Sequence, residues 1–368
     1  MKTKLLFVLV HFMFASNAQT KEKATAEAPE VLNIKFQKFP IADFPENVFP
    51  VSEIRLIQNV KDSINLGYAL KGLTRRVVIL RPGKPLTDFL QEHILKMYKN
   101  DYKKQGAKML WVLKDFRLGE RITDMRYIYT RLDADTYISK DGNLFKKVFS
   151  IDTVLITETD ALMTRSYGQD IESAFKILLK VSFQYGDELS NAEEMALEQI
   201  AGQSKRNSVM HILTDSVYNE GAYASFEEFI QNKPSILNFE MVLMEGNRVK
   251  FVKAGSNSQP VVLDVWGICQ KGDIYKYHEW NLIPIEKQGT GFIISNYAEN
   301  TNKVNRKLFF TALGASQAGA IVGGVMYYQA HADAVSRQLV VKSIPYITDP
   351  NKRPVATCID METGDFSF

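Results

Sequence analysis

The spacing of apolar residues divides the chain into three parts of different character. Residues 31–205 mix strand-like runs with apolar positions at helical spacing, and residues 225–306 alternate apolar and polar positions in short segments. Residues 308–330 contain no charged residue. Alternation with a period of two indicates half-buried strands, whereas apolar residues three and four positions apart indicate amphipathic helices. The pattern therefore predicts a mixed α and β part, a β-rich part and an apolar segment.

The first part is predicted to form a mixed sheet covered by helices. One helix is predicted to begin near Pro85 and a second to cover residues 169–187. Ser190 and Glu193 have the spacing of a capping box, which predicts the start of a third helix. Asp141-Gly142 predicts a hairpin turn between two alternating segments. Strands are predicted at residues 31–39, 52–60, 74–81, 109–113, 124–138 and 144–158.

The second part is predicted to be an antiparallel β-meander or a small barrel, because short alternating segments are separated by glycine-containing turns. It opens with a short helix, for which Ser225 and Glu228 have the spacing of a capping box. Strands are predicted at residues 236–245, 247–254, 260–269, 273–278, 280–286 and 290–297.

The Gly/Ala-rich segment, residues 307–335, is compatible with three structures: a membrane span, a peripheral insertion or a buried hairpin. As a helix, its uncharged stretch would be about 34 Å long, the thickness of a hydrocarbon core. Basic residues before it oppose a span in an exported chain. Contact with an envelope protein or a membrane is therefore expected through residues 308–330. The interface positions are its glycines: Gly314, Gly319, Gly323 and Gly324.

The beginning of the chain has the pattern of a secretory signal peptide. Lys2 and Lys4 precede an apolar run, and small residues lie before a predicted cleavage site after Ala18. An uncleaved anchor is the alternative. Gln19 follows the predicted site instead of Cys, so lipid attachment at this position is not expected. Export is predicted, to the periplasm or in association with the outer membrane.

These patterns predict an α+β chain with seven segments. They are a signal peptide at 1–18, a disordered leader at 19–30, an α+β domain at 31–205, a linker at 206–224, a β-rich domain at 225–306, the Gly/Ala-rich segment at 307–335, and C-terminal strands that return to the β-rich domain at 336–368.

Composition excludes some functions and leaves the redox state of the cysteines open. The chain has 45 basic and 42 acidic residues, and removal of the predicted signal peptide leaves a net charge of +1. Such a balance gives no electrostatic footprint for nucleic acid. Cys269 and Cys358 can form a disulfide in an exported protein or remain as two buried thiols.

The titratable residues show no catalytic or metal-binding motif, and catalytic residues remain unknown. His93 falls on the polar side of the first predicted helix and is expected at the surface. Asp133 and Asp135 share one face of a predicted strand. Paired carboxylates can bind a divalent cation or exchange protons, although Asp is also common at strand ends. No cofactor and no metal are expected.

An aromatic cluster is the candidate binding site. It consists of Trp266, Tyr275, Tyr277 and Trp280. Strand alternation predicts Tyr275 and Tyr277 on one face, with His278 and Trp280 on the other. An exposed aromatic face can bind glycan or peptide, whereas a buried one is core with cross-strand pairs.

Residues 50–190 resemble the YajG-like and transport-auxiliary lipoprotein domains of Gram-negative envelopes. The resemblance rests on the strand Ile54–Val60, the segment Asn65–Tyr68 and the helix start Pro85–Leu90. It implies a periplasmic domain in the cell envelope. The chain departs from these lipoproteins in lacking a Cys at the predicted cleavage site.

The second half is similar to uncharacterised secreted proteins of the Bacteroidetes type. The similarity rests on the segments Ser225–Ser235, Asp264–Cys269 and Ile359–Gly364. It implies an envelope location and no known activity.

The sequence supports three functional hypotheses. The first is a non-enzymatic envelope protein that acts in binding or assembly. The second is an exported hydrolase that acts on glycan or peptide through carboxylates the sequence does not locate. The third is a module that binds peptide by strand pairing, which requires an open sheet edge.

Overall fold

The computed structural model describes twelve stretches of the chain. They are residues 30–36, 49–58, 65–72, 74–160, 167–186, 193–203, 210–245, 248–255, 261–305, 339–342, 344 and 347–368. The predicted signal peptide at 1–18 and the Gly/Ala-rich segment, with Gly314, Gly319, Gly323 and Gly324, lie outside the described residues.

Eight strands form a mixed sheet in the order β1-β4-β3-β5-β6-β7-β8, and β2 pairs with β5 beside β3. The strands are β1 (Val31–Ile34), β2 (Val51–Gln58), β3 (Gly67–Lys71), β4 (Arg76–Pro82), β5 (Ala107–Ile122), β6 (Arg126–Ser139), β7 (Leu144–Thr159) and β8 (Glu194–Ala196). The pairs β1–β4, β2–β5 and β3–β5 are parallel, and the other pairs are antiparallel. The predicted mixed sheet is therefore confirmed.

Three helices accompany this sheet: α1 (Leu86–Tyr98), α2 (Tyr167–Gly186) and α3 (Leu197–Gln203). The apolar faces of α1 and α2 share one buried core with the sheet. Trp111 is fully buried in this core and donates from its indole nitrogen to Ser182 of α2 over 3.1 Å. A smaller core under α3 lies against the opposite side chains of β5.

A β-bulge at Lys114 changes which side chains of β5 face the helices. Before the bulge, Met109, Trp111 and Leu113 lie in the helix-side core, and after it Phe116 and Leu118 do. Because side chains alternate with a period of two, one extra residue moves the odd-numbered positions to the other face. Arg117, Gly119 and Arg121 consequently face away from the helices.

The C-terminal residues pack on this second face of β5. A side chain at Gly119 would place its Cβ 2.7 Å from the ring of Phe368, so glycine permits the close approach. Arg121 donates to the backbone carbonyls of Pro350, Asn351 and Arg353 over 2.8, 3.3 and 2.9 Å. The last residues of the chain therefore depend on the first sheet as well as on their own.

The β-rich part forms a seven-stranded antiparallel sheet and a separate two-stranded hairpin. The sheet runs in the order β17-β16-β15-β14-β13-β12-β9, and the hairpin pairs β10 with β11. The elements are β9 (Gly221–Tyr223), β10 (Phe239–Met244), β11 (Arg248–Lys253), β12 (Gly267–Gln270), β13 (Asp273–His278), β14 (Asn281–Gln288), β15 (Gly291–Ile294), β16 (Cys358–Ile359) and β17 (Phe366–Ser367), with the short helices α4 (His211–Thr214) and α5 (Phe226–Ile230). The described strands form an open meander and not a closed barrel.

The start of the third helix differs from the prediction, one strand was not predicted, and one helix cap was predicted correctly. The third helix begins at Leu197, because residues 194–196 pair with β7 as strand β8. Strand β3 is not predicted by the pattern, since it is short and only partly buried. The Ser225 cap of α5 is confirmed, since the Ser225 hydroxyl accepts from the Glu228 N–H over 3.3 Å, whereas the Glu228 carboxylate accepts from the Ala224 N–H over 2.8 Å.

The expectation that His93 lies at the surface is wrong. Its side chain is 1% exposed and stacks on the ring of Phe36, with centroids 3.5 Å apart. Residue 36 comes from a distant part of the chain, so helical periodicity could not reveal this contact. Burial, assisted by the charge of Lys96, lowers the pKa of His93 from 6.5 to about 4.

Arg121 is expected to be essential for holding residues 350–353. The Arg121→Leu substitution leaves three carbonyl groups without their donor in a site where Arg121 is 4% exposed. Loss of such hydrogen bonds costs roughly 2–4 kcal/mol in the free energy of unfolding. Urea denaturation measures this, with the exposed Lys71→Ala as control. A loss no larger than that of the control would contradict the role of Arg121.

His93 is expected to make stability depend on pH in the acidic range. The unfolded chain binds a proton at His93 below about pH 6.5, whereas the folded chain does so only near pH 4. Stability is therefore lost as the pH falls from about 6.5 towards 4, and His93→Phe removes this contribution. Unfolding free energies of both proteins at pH 7 and pH 5 test it. Equal pH dependence in the two proteins would show that His93 does not titrate in this way.

Candidate binding surface

The largest group of exposed apolar side chains in the β-rich part lies on and around the β10–β11 hairpin. We call this group the hairpin surface. It comprises Leu237, Met241, Val242, Leu243, Val261, Val262 and Trp280. Leu243 is 78% exposed although it lies within a strand. Contiguous exposed apolar patches in folded proteins commonly mark interaction sites.

The hydrogen bonds of β11 show which way the backbone of β10 faces. The N–H groups of Val249 and Lys253 and the C=O of Phe251 bond residues 280, 261 and 263, on the side away from β10. Backbone groups point to alternate sides along a strand, so the N–H and C=O groups of the even-numbered residues of β11 face β10. Their partners are Glu240, Val242 and Met244, as the register requires.

The other three residues of β10 therefore present their backbone groups at an open edge. These residues are Phe239, Met241 and Leu243, and none of them has a backbone partner there among the described residues. An open row of N–H and C=O groups is a template for another strand. The described structure thus contains the open sheet edge that peptide binding by strand pairing requires.

An aromatic row connects this edge with the seven-stranded sheet. Phe239 contacts Phe251 with ring centroids 5.6 Å apart, and Phe251 contacts Tyr277 at 4.9 Å. The Tyr277 hydroxyl donates to the carbonyl of Val249 over 2.8 Å. These contacts anchor the hairpin, so its open edge is held in place by a packed core.

Three of the four aromatic residues predicted as a binding site lie on this side. Tyr275 and Tyr277 pack in the core beneath the hairpin. Trp280 was expected on the face of His278, but it lies in the turn after β13 with a φ of 68°, and its ring contacts Tyr277. The turn interrupts strand alternation, which explains the difference.

Trp266 lies on the opposite face, separated from the other three. Its ring stacks on Phe229 with centroids 4.4 Å apart, and its indole donates to the carbonyl of Gly364 over 3.1 Å. The ammonium of Lys276 lies 4.2 Å from the centre of the Trp266 ring. Burial lowers the pKa of Lys276 to about 8, although Asp365 opposes the shift.

A cleft lies between the two sheets, with a volume of about 560 Å³ including the space open to solvent. Apolar residues from β15, β16 and the C-terminus form much of its wall, and Arg117 enters it from β5. Asp115 accepts from Arg117 over 2.8 Å and balances its charge. No Asp or Glu is among the residues that line this cleft.

The paired carboxylates of β6 are engaged by basic side chains. Lys114 lies 2.9 Å from Asp133 and 3.3 Å from Asp135, and Lys147 lies 3.1 Å from Asp135. Burial raises the pKa of Asp133, and Lys114 opposes this shift. Burial acts in the same direction on Asp135, but Ser150 and the two lysines hold its pKa below the usual value. The arrangement is an ion-pair ladder across three strands.

Both cysteines are free thiols and both are buried. Burial raises the pKa of Cys358, and the neighbouring Arg117 partly offsets this. Within the described ranges, no three His, Cys, Asp or Glu side chains form a group suited to a metal ion. No helix in the part of the chain that the structure describes has the length and apolar character to cross a membrane.

The open edge was not predicted as a site, although the sequence carries a signal for it. Five of the six residues of β10 are apolar, with Glu240 the exception. This composition is typical of a strand buried on both faces. The structure instead leaves most of the strand exposed, and the contrast between composition and exposure identifies the surface.

Lys276 is expected to destabilise the fold in its charged form. Below about pH 8 the folded and unfolded chains both carry the proton, and the cost of burying the charge is fully present. As the pH rises from about 8 towards 10, the folded chain loses the proton first and the protein becomes more stable. Lys276→Met removes this dependence. Unfolding free energies at pH 7 and 9.5 test it, with the exposed Lys253→Met as control; a rise that persists in Lys276→Met contradicts it.

Comparison with protein-family models gives no match, and comparison with curated proteins gives none either. Among solved structures, the chain is similar to the crystal structure of a Xanthomonas campestris protein assigned to the DUF330 family. The match covers 43% of this chain and 97% of that one, with 12% sequence identity and a TM-score of 0.30. A likeness at this level does not assign the chain to a family.

Proposed function

We propose that the protein is a non-enzymatic binding or assembly protein of the cell envelope, which holds an extended segment of a protein partner along strand β10. The observation that carries this proposal is the open edge formed by Phe239, Met241 and Leu243. An added strand gains main-chain hydrogen bonds at the edge, and alternate side chains supply specificity.

The side chains at this edge support protein as the ligand. Met241 and Leu243 lie on the same face as Val249 and Phe251, their cross-strand neighbours. Those two neighbours are buried, whereas Met241 and Leu243 are exposed. An added strand with apolar residues at alternate positions would extend the buried core of the hairpin and cover both side chains.

The proposed location rests on the sequence. The basic residues, apolar run and small residues before position 19 have the pattern of an export signal. An exported chain encounters its partners in the cell envelope, so we place the proposed binding or assembly role there.

The acidic residues favour binding over the hydrolase hypothesis. A glycosidase mechanism uses two carboxyl groups that face one another across a substrate cleft. The cleft between the sheets is lined by no carboxylate. Asp133 and Asp135, the pair that the sequence singled out, are engaged in ion pairs with lysines.

The experiment is site-specific photocrosslinking in the native host. The photoreactive residue p-benzoylphenylalanine replaces Leu243 at the open edge or, as control, Val217, which is 71% exposed in a loop. We expect a defined protein adduct from position 243 and none from position 217. Equal crosslinking from both positions would contradict a binding site at β10.

A second variant separates strand pairing from general apolar contact. Met241→Pro removes an N–H that faces the open edge and leaves the β10–β11 hydrogen bonds in place. We expect it to abolish the adduct from position 243, whereas Met241→Leu retains it. An adduct that survives Met241→Pro would show that the partner does not pair with the strand.

A further inference from the structure

The geometry points to a second copy of this chain as the occupant of the open edge, with the two β10 strands paired antiparallel about a two-fold axis at Met241. This inference rests on the proposed function and names its partner. Pairing would join two two-stranded hairpins into one four-stranded sheet across the dimer.

The strand is complementary to itself in this register. The axis places Met241 opposite Met241 of the second copy, and Phe239 opposite Leu243. These are the residues whose backbone groups face the edge, so each opposed pair exchanges hydrogen bonds. Their side chains lie on one face and oppose apolar side chains across the axis, while Lys253, the neighbour of Phe239 in its own hairpin, lies at the end of this face. The two exposed side chains, Met241 and Leu243, and the partly buried Phe239 are therefore all opposed by apolar residues.

The charges on the other face fit the same register. Glu240 lies opposite Val242 of the second copy, and Val242 is paired with Lys250 in its own hairpin. Each Glu240 therefore shares a cross-strand row with Lys250 of the other copy, with one valine between them. The two Glu240 carboxylates lie diagonally across the axis, and the two Lys250 ammonium groups supply the opposite charge on this face.

Neighbouring registers are less favourable. An axis at Glu240 would place two like charges directly opposite each other, which destabilises a strand pair. An axis at Val242 would place Phe239 opposite Glu245. Only the axis at Met241 opposes apolar residues at all three edge positions and keeps the charges apart.

Disulfide trapping in the purified full chain tests the register. Met241→Cys places two thiols opposite each other at a Cα separation of about 5.5 Å, which a disulfide can bridge. Val242→Cys is the matched control, because residue 242 is similarly exposed but meets its own copy only diagonally, about 7–8 Å apart. The native Cys269 and Cys358 are buried, and oxidation of the unmodified chain measures the background level of disulfide-linked dimer that they give. We expect roughly fivefold more oxidised dimer from Met241→Cys than from Val242→Cys. Equal yields, or more from Val242→Cys, would overturn the register.

A mixing experiment adds an independent readout. Phe239→Cys and Leu243→Cys proteins should each form no disulfide-linked dimer on oxidation but should form a disulfide-linked heterodimer after mixing and subunit exchange, since residues 239 and 243 oppose each other only between copies. Light scattering on the unmodified chain should give twice the monomer mass, and Met241→Pro should reduce it to the monomer mass. A monomeric unmodified chain overturns the inference.

The peptides in the crosslinked adduct distinguish a second copy of this chain from another protein partner. Peptides of this chain in the adduct from position 243 support a second copy. Peptides of another protein, with a monomeric chain in solution, overturn the second copy and leave strand binding at β10 intact. No adduct and no dimer overturn both.

Discussion

The alternation of side chains along β5 is the constraint on which the rest of the structure depends. This strand has 16 residues and belongs to cores on both of its faces. The bulge at Lys114 shifts the alternation by one residue, so Phe116 and Leu118 continue the helix-side core that Trp111 begins. Without this shift, Arg117 and Arg121 would point into the apolar core beneath α2, where an uncompensated charge is costly.

The same shift connects the two halves of the chain. It turns Arg117, Gly119 and Arg121 towards the C-terminal residues, where they meet Cys358, Phe368 and the carbonyls of residues 350–353. The half-buried Arg117 and the buried Arg121 are tolerated there because each has acceptors within reach. The C-terminus therefore supplies both the end of the second sheet, through β16 and β17, and part of the cover of the first.

The β10–β11 hairpin forms a two-stranded sheet of its own, outside the two larger sheets. It is held by the contacts of Phe251 with Phe239 and Tyr277. Those contacts join the hairpin to the seven-stranded sheet but leave Met241 and Leu243 exposed beside buried neighbours. Natural sheets usually protect a long apolar edge with charge, proline or a covering element. Within the described ranges, none of these protections lies at the outward positions of β10, which is what a strand-pairing site requires.

The sequence by itself determined the class of the fold and most of its local structure. Short apolar runs between glycine-containing turns located the strands at 236–245 and 273–278, and the cap at Ser225 located α5, because these signals act between residues close in the chain. Only the tertiary structure decided that His93 is buried, that Asp133 and Asp135 are neutralised by lysines, and that Trp266 is separated from Tyr277. Each depends on contacts between distant segments, which no local pattern encodes. The open edge also depends on contacts between distant segments. The sequence of β10 is typical of a buried strand, and it is exposed because the described fold pairs it with β11 alone.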